Sequence, residues 1–318
     1  MSLQIYCDAH FKADVLERFK SSLGAHHLLV PSLAEGNASA DLLAKADIAF
    51  GQPDVGEVLK SERLRWVQVS SAGFTRYDTP TFRTVAKSHG LMLTNSSTVF
   101  AEPCAEHVFA FMMAQTRKLI PSLQAHCSSD APQWAELRHG SECLRHQEAV
   151  ILGFGAIATR LLELLAPFQM KITAMRRHPK GTEGVPTVTP EDLPRVLATA
   201  DHVINILPAN AESAHFISAE RLDAMKPGAV FYNIGRGTTV DQAALAARLQ
   251  SGRIGAAWLD VTDPEPLPDG HPLLSLDNCF ITPHTAGGHR GEEDNLVRHF
   301  LENLQRFLDQ SPLRDRII

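Results

Sequence analysis

The chain has 318 residues, of which 44% are hydrophobic and 21% charged, and its net charge is -6. This composition is typical of a soluble globular protein with a sizeable core, and the length allows two ordinary domains. The negative charge gives no electrostatic reason to expect nucleic acid or an anionic membrane as a partner. No apolar stretch reaches the roughly 18 residues of a membrane span, and the first residues do not resemble a signal peptide. Five scattered cysteines without a CxxC pair favour reduced thiols. We therefore expect a cytoplasmic protein.

The first hundred residues alternate short apolar strands with helical segments. The predicted strands cover 4–8, 47–51, 65–70 and 91–96, and helical spacing appears in 12–22 and 55–64. This alternation predicts a small parallel α/β unit. A long helix is predicted over 99–120, and an irregular surface segment over 126–147.

A second and clearer series begins at residue 149. Predicted strands and helices then alternate as far as residue 284, with strands at 149–155, 171–175, 202–208, 229–235, 254–261 and 278–284. This pattern predicts a second doubly wound parallel sheet. An amphipathic helix over 292–310 is expected to return to the first domain. The predicted domains are therefore 1–98 plus 286–318 for one, and 99–285 for the other.

A glycine-rich turn follows the first strand of the second series. It reads Gly153-Phe154-Gly155-Ala156-Ile157-Ala158, between a strand and an amphipathic helix. In this context the motif predicts a dinucleotide-binding turn. Gly153 would permit the tight turn, Gly155 would let a pyrophosphate approach the backbone, and Ala158 would keep helix and strand close. The alternative is a structural turn without a ligand.

Arginines occupy the end of the next strand, where NAD-binding proteins usually have an acidic residue. Arg176 lies 23 positions after Gly153, and Arg177 and Lys180 follow it. A carboxylate there would bind the ribose hydroxyls of NAD, whereas an arginine can pair with the 2′-phosphate of NADP. We therefore expect NADP(H) to be preferred, with NAD(H) possible. The alternative is a solvated basic loop.

Polar side chains also follow the later strands of this series. Because the carboxyl ends of parallel strands share one edge, these residues are expected to meet there. An arginine, a carboxylate and a histidine so placed could bind and reduce a keto acid, although each could also be incidental. The polar residues are Arg236, Asp260, Glu265 and His284. The loops Leu207-Pro208 and Ile234-Gly235 at the same edge are expected to lie against the cofactor.

Four motifs make the chain similar to the D-isomer-specific 2-hydroxyacid dehydrogenases. They are GFGAIA, NIGRGTTVDQAAL, AAWLDVTDPEPLPDGHPLL and NCFITPHTAG, and the last two most resemble the glyoxylate/hydroxypyruvate reductases. The resemblance implies a Rossmann cofactor domain inserted into a flavodoxin-like substrate domain, and a homodimer formed through the cofactor domain. It also implies a small 2-keto or 2-hydroxy acid as substrate.

The resemblance implies roles for individual residues as well. It makes Arg236, Glu265 and His284 the catalytic residues, with Glu265 favouring the charged form of His284. Asp260 would contact the nicotinamide carboxamide, and the loop Ser71-Ala72-Gly73 would hold the substrate carboxylate. The segment between Leu119 and Gln147 departs from the sequence usual in the family.

Two other functions are compatible with parts of this pattern. A dinucleotide-sensing scaffold of the same fold would bind NADPH without turnover, and the presence of Arg236, Glu265 and His284 argues against it. A formate or phosphite dehydrogenase relative would typically prefer NAD, which Arg176 opposes. No metal site is expected, because neither the adjacent His26 and His27 nor the pair His139 and His146 has suitable ligand spacing.

Overall fold

The computed structural model describes residues 2–31 and 38–318. Its strands are, in chain order, β1 (Gln4–Cys7), β2 (His27–Leu29), β3 (Ile48–Gly51), β4 (Trp66–Val69), β5 (Met92–Thr94), β6 (Glu148–Leu152), β7 (Lys171–Met175), β8 (Thr187–Val188), β9 (His202–Asn205), β10 (Val230–Asn233), β11 (Ala256–Leu259) and β12 (Cys279–Ile281). The α-helices are α1 (Ala13–Ser22), α2 (Ala38–Ala44), α3 (Val55–Lys60), α4 (Pro80–His89), α5 (Ala101–Thr116), α6 (Leu119–Ala125), α7 (Pro132–His139), α8 (Ala156–Leu165), α9 (Leu193–Leu197), α10 (Ala219–Ala224), α11 (Gln242–Gln250) and α12 (Glu292–Leu308).

The chain forms two compact units. The first combines Met1–Phe100 with Gly288–Ile318, and the second is Ala101–Gly287. Each contains one sheet in which all strand pairs are parallel, with the order β2-β1-β3-β4-β5 in the first and β12-β11-β10-β9-β6-β7-β8 in the second. The first order is that of flavodoxin-like folds. The predicted fold class, two doubly wound α/β domains, is confirmed.

Aromatic packing joins α12 to the sheet of the first unit. The Phe300 ring stacks on Phe50 at 4.6 Å and on Trp66 at 5.1 Å, measured between ring centroids. All three side chains are fully buried. Beyond α12 the chain pairs antiparallel with β5, since the amide of Ile317 donates to the Leu93 carbonyl at 2.8 Å and that of Leu93 to Ile318 at 3.2 Å. Both ends of the chain therefore build this unit.

The sequence pattern did not predict several short elements. β2 and α2 were not predicted, and β2 has only three residues, too few to show a period. The predicted helix over 99–120 ends at Thr116, because Lys118 adopts a left-handed φ of 52° before α6 begins. The prediction of an irregular segment over 126–147 was wrong in part, because α7 lies within it. That helix buries none of its residues, so the apolar stripe that signals a helix is absent.

In the second unit β6 lies between β7 and β9. Chain connections leave β6 towards β7 on one side and reach β9 on the other. The carboxyl end of β6 is therefore the topological switch point, which is where open parallel sheets bind their ligands.

Candidate active site

The glycine-rich turn lies directly after β6. Gly153 has a φ of +98°, which favours glycine, and a Cβ there would lie 3.2 Å from the carbonyl oxygen of Ile206. Gly155 precedes the first turn of α8 in an extended conformation, and a Cβ there would meet no protein atom within 4 Å. Neither conformation nor packing thus requires glycine at Gly155. The open space at this helix N-terminus suits a phosphate that approaches the backbone closely.

A cleft of about 350 Å³ lies beside this turn. Six of the predicted cofactor-binding residues line it: Gly153, Phe154, Arg176, Arg177, Leu207 and Pro208. Ala158 behind it is fully buried, so α8 lies close against the sheet. Ala156 and Ile157 form the first turn of α8. The glycine turn, the helix N-terminus and the arginines thus fit a dinucleotide.

Both arginines of this cleft have acidic partners that the sequence did not reveal. Nη1 of Arg176 lies 3.1 Å from Oε1 of the buried Glu183. Arg177 forms an ion pair with Glu212, which also lines the cleft. The cleft is therefore close to charge-balanced rather than strongly basic, and the two arginines differ in how firmly they are held.

The loop after β10 carries Arg236 and is clamped on both sides. A Cβ on Gly235 would lie 2.6 Å from the Leu207 carbonyl oxygen, and one on Gly237 would lie 2.0 Å from the carbonyl carbon and oxygen of Thr262. Only glycine permits such close backbone packing. Ile234, next to this loop, is buried.

Side chains at the strand ends reinforce this loop. Asn205 Nδ2 donates to Asn233 Oδ1 at 3.0 Å and to Thr239 Oγ1 at 2.7 Å, and Thr239 donates to the Arg236 carbonyl at 2.6 Å. The side chains of Asn205, Asn233 and Thr239 are buried. The Arg236 guanidinium donates from Nη1 to the Gly235 carbonyl at 2.6 Å. The Arg236 carbonyl is thus held by Thr239, and the guanidinium is bound to the preceding carbonyl.

Asp260 holds the loop that follows β12. Its Oδ1 accepts from Thr282 Oγ1 at 2.6 Å and from the Thr285 amide at 2.8 Å, and its Oδ2 accepts from the Ala286 amide at 3.0 Å. The side chain is 1% exposed. Both carboxylate oxygens of Asp260 thus bind the protein itself, and the expected contact with nicotinamide stays a prediction. Its visible role is to fix the segment around His284.

His107 on α5 adds to this network and was missed by the sequence reasoning. Its Nε2 lies 3.2 Å from Thr282 Oγ1 and 3.7 Å from Asp260 Oδ1. Burial lowers the pKa of His107, and the charge of Asp260 opposes that shift. No sequence signal marked it, because it lies within a helix rather than at a strand end.

Glu265 and His284 form a close pair. Nδ1 of His284 lies 2.5 Å from Oε1 of Glu265, while Glu265 Oε2 accepts from the Thr262 amide at 3.3 Å. The His284 backbone has a left-handed φ of 54°, and its amide donates to the Asp260 carbonyl at 3.0 Å. Both side chains are partly exposed, at 47% for His284 and 40% for Glu265. Such a pair can orient an imidazole for proton transfer while leaving it accessible.

The predicted substrate loop lies in the first unit, after β4. Ser71 donates from Oγ to the Gly73 carbonyl at 2.6 Å, and Asn95 Nδ2 donates to the Ala72 carbonyl at 2.7 Å. Gln52 Nε2 donates to Ser71 Oγ at 2.9 Å. The loop is therefore shaped by side chains from the ends of two other strands, β3 and β5.

The described part of the chain, residues 2–31 and 38–318, has neither a membrane-spanning helix nor a metal-ligand cluster. Every helix in it is too short or too polar to cross a membrane. It also contains no group of three histidine, cysteine, aspartate or glutamate side chains arranged to hold a metal ion.

Comparisons with known proteins relate this site to a large family. The family model for the D-isomer specific 2-hydroxyacid dehydrogenase, NAD binding domain, matches residues 109–286. Glyoxylate/hydroxypyruvate reductase B of Shigella boydii is 32% identical over 304 residues, which are 92% of this chain and 90% of that protein. An uncharacterised protein from the proB 3′ region of Corynebacterium melassecola is 37% identical over 227 residues, or 71% and 72% of the two chains.

Solved structures show the same fold. A D-isomer specific 2-hydroxyacid dehydrogenase from Xanthobacter autotrophicus, bound to NADPH and MES, superimposes with a TM-score of 0.80 at 24% identity, covering 100% of this chain and 98% of that one. An NADPH-dependent glyoxylate/hydroxypyruvate reductase from Sinorhizobium meliloti, bound to NADP and malonate, gives a TM-score of 0.73 at 24% identity, covering 100% and 97%.

Proposed function

Because the chain belongs to the D-isomer specific 2-hydroxyacid dehydrogenase family, we propose that it reduces a small 2-keto acid with NADPH. The substrate is of the glyoxylate or hydroxypyruvate type, and the product is the D-2-hydroxy acid. The observation that carries this proposal is the pair of His284 and Glu265, 2.5 Å apart at the sheet edge that also bears Arg236. A histidine bound to a carboxylate, with an arginine at the same sheet edge, is suited to catalysing the reduction of a carbonyl next to a carboxylate.

The proton transfer follows from the orientation of the histidine. Since Nδ1 of His284 is bound to Glu265, Nε2 is the nitrogen that donates a proton to the keto oxygen. The carboxylate of Glu265 holds the ring in this orientation. A bound reduced nicotinamide would supply the hydride for the keto carbon.

Arg236 binds the substrate and polarises its carbonyl. A guanidinium offers five N–H donors in a planar fork, which matches a carboxylate and an adjacent carbonyl oxygen. Its positive charge stabilises the negative charge that develops on the oxygen during reduction. Gly235 and Gly237, on either side of Arg236, pack closely against neighbouring backbone and so fix the position of its loop. The loop Ser71-Ala72-Gly73 takes the substrate carboxylate with its backbone amides.

The preference for NADP rests on Arg176. This residue lines the cleft beside the glycine-rich turn, which we call the adenosine-end cleft. The Xanthobacter and Sinorhizobium proteins were solved with NADPH and NADP, respectively. In this chain Gly153, Phe154, Gly155, Ala156 and Ile157 would hold the pyrophosphate. Leu207, Pro208, Ile234 and Gly235 would line the remainder of the cofactor site. NAD(H) is the weaker alternative.

A homodimer through the cofactor unit is the proposed assembly. Leu119 and Leu123 on α6 and Trp134 on α7 expose 44%, 69% and 37% of their surface. A groove of about 470 Å³ beside α6 includes Trp258 and Phe280. Apolar side chains exposed on one segment are typical of a protein contact. Sedimentation equilibrium of the wild type and of Leu123→Asp tests this, with a monomeric variant expected.

All five cysteines, each in the described part of the chain, are free thiols, which supports a cytoplasmic location.

The deciding experiment follows the near-ultraviolet absorbance of NADPH and of NADH with a panel of 2-keto acids from glyoxylate to phenylpyruvate. Faster turnover with NADPH on the small acids is the expected result. Preference for NADH would keep the reductase and reject the role of Arg176. Binding of NADPH without turnover of any acid would instead indicate a dinucleotide-sensing scaffold.

A further inference from the structure

The two arginines of the adenosine-end cleft stand in different surroundings. The side chain of Arg176 is 25% exposed and its partner Glu183 only 2%. The side chain of Arg177 is 56% exposed and its partner Glu212 68%. One pair is thus largely withdrawn from water and the other is at the surface. Exposed ion pairs hold their members weakly, because water and salt screen them.

Glu183 is fixed by more than its arginine. The backbone amide of Lys180 donates to its Oε1 at 2.7 Å, the same oxygen that Arg176 approaches at 3.1 Å. Glycines with positive φ, Gly181 at 74° and Gly184 at 77°, lie on either side and turn the loop so that Glu183 points inwards. The backbone hydrogen bond from Lys180 and the charge of Arg176 hold the pKa of Glu183 below its usual range. The carboxylate is therefore ionised when it meets the arginine.

Arg176 is also anchored through its backbone. Its amide donates to the Val188 carbonyl at 3.0 Å, at the end of β7. Backbone and guanidinium are thus both tied before any ligand arrives. A long arginine side chain otherwise loses much of its rotamer freedom when it is immobilised. A guanidinium that is already held loses less on binding.

We propose that Glu183 is a positioning residue that presents Arg176 to the 2′-phosphate of the cofactor, and that Arg177 contributes less because Glu212 competes for it. This inference rests on the proposed binding of NADPH. It makes the discrimination between NADP and NAD depend on a buried carboxylate outside the glycine motif and outside the strand ends.

The opposite effect is physically possible for a carboxylate beside a phosphate site. If Glu183 acted only as a negative charge, its removal would strengthen the binding of a phosphate. Two variants separate position from charge. Glu183→Gln keeps an oxygen that accepts from Lys180 and Arg176 but removes the charge, whereas Glu183→Ala removes both.

The experiment measures the binding of adenosine 2′,5′-bisphosphate and of AMP to the full chain by isothermal titration calorimetry. Losing a charge-assisted hydrogen bond that orders Arg176 should weaken the bisphosphate about tenfold in Glu183→Ala. Glu183→Gln should stay within about threefold of the wild type. AMP should bind all three proteins alike, which shows that the cleft remains folded. Glu212→Gln, the exposed matched control, should bind the bisphosphate somewhat more tightly.

The inference is overturned if Glu183→Ala binds the bisphosphate as well as the wild type does, or more tightly. A loss of AMP binding equal to the loss of bisphosphate binding would also overturn it, because the residue would then be structural. These results differ from a failure of the proposed cofactor preference. In that case the wild type itself would bind the two nucleotides equally.

Discussion

The substitution Gly237→Ala tests whether close loop packing holds the catalytic arginine in place. A Cβ there would lie 2.0 Å from the carbonyl carbon and oxygen of Thr262 and 2.6 Å from the Asp263 amide nitrogen. Carbon atoms in contact are ordinarily about 3.5 Å apart, so the two loops must separate by roughly 1.5 Å. Backbone atoms cannot rotate out of the way as a flexible side chain can.

This displacement should reach the chemistry through Arg236, the preceding residue. A misplacement of about 1 Å in a catalytic group can cost roughly a hundredfold in rate. We therefore expect kcat for 2-keto acid reduction to fall about a hundredfold, with a stability loss of about 1–3 kcal/mol from overpacking. NADPH binding should change less than kcat, because Ile234 and Gly235 share this loop but Gly153 and Arg176 lie on others.

The assay compares kcat, the NADPH dissociation constant from fluorescence titration, and the thermal unfolding midpoint. Gly291→Ala is the matched control, since the nearest heavy atom to its added Cβ is His289 Cδ2 at 3.8 Å, an ordinary contact. It should keep its activity and lose less than about 1 kcal/mol at the start of α12. If Gly237→Ala turned over substrate within about threefold of the wild type, the reasoning from packing to Arg236 would be refuted.

Three further predictions concern histidines and a carboxylate. His284→Asn, which tolerates the left-handed backbone, should abolish most turnover in steady-state assays yet leave NADPH binding intact; a parallel loss of both would make His284 structural. Asp260→Asn places an N–H group against backbone donors. Calorimetry should therefore show a free energy of unfolding lower by about 1–3 kcal/mol, and kcat should fall. An unchanged melting temperature would contradict the role of Asp260 in holding the loop. Burial lowers the pKa of His202 to about 4, where its nitrogens face Tyr232 OH and Gln147 Oε1. The unfolded chain, with a His pKa of about 6.5, binds the proton more readily than the folded one. The stabilisation from the neutral His202 is therefore fully present above pH 6.5, and the free energy of unfolding falls by about 3 kcal/mol as the pH drops towards 4. The free energy of unfolding of His202→Gln, measured with denaturant, should lack this dependence on pH. A pH profile identical to that of the wild type would reject the role of His202.

The strand-end rule explains why much of the candidate site could be predicted. Arg236, Asp260 and His284 follow β10, β11 and β12, which are neighbours in the sheet, so their position at one edge follows from the order of strands alone. The glycine turn was equally legible, because Gly153 needs its positive φ. The roles given to these residues remain predictions.

The remaining features depend on tertiary contacts that no local pattern records. Glu183 reaches Arg176 only because Gly181 and Gly184 turn the loop inwards, and a glutamate in a polar loop carries no such signal. His107 reaches Thr282 from a helix nearly the whole second unit away in sequence. Asn205 and Asn233, by contrast, end their strands and could have been found by the same rule that found Arg236.

The packing of α12 has a consequence for synthesis of the chain. Phe300 covers Phe50 and Trp66, yet the whole second unit is translated between them. At about 5–20 residues per second, the ribosome needs roughly 10 to 40 s to cross that interval. During this time the nascent first sheet exposes a large aromatic surface, while the second unit can already fold. Chains that stop before α12 should therefore be bound by chaperones through this surface.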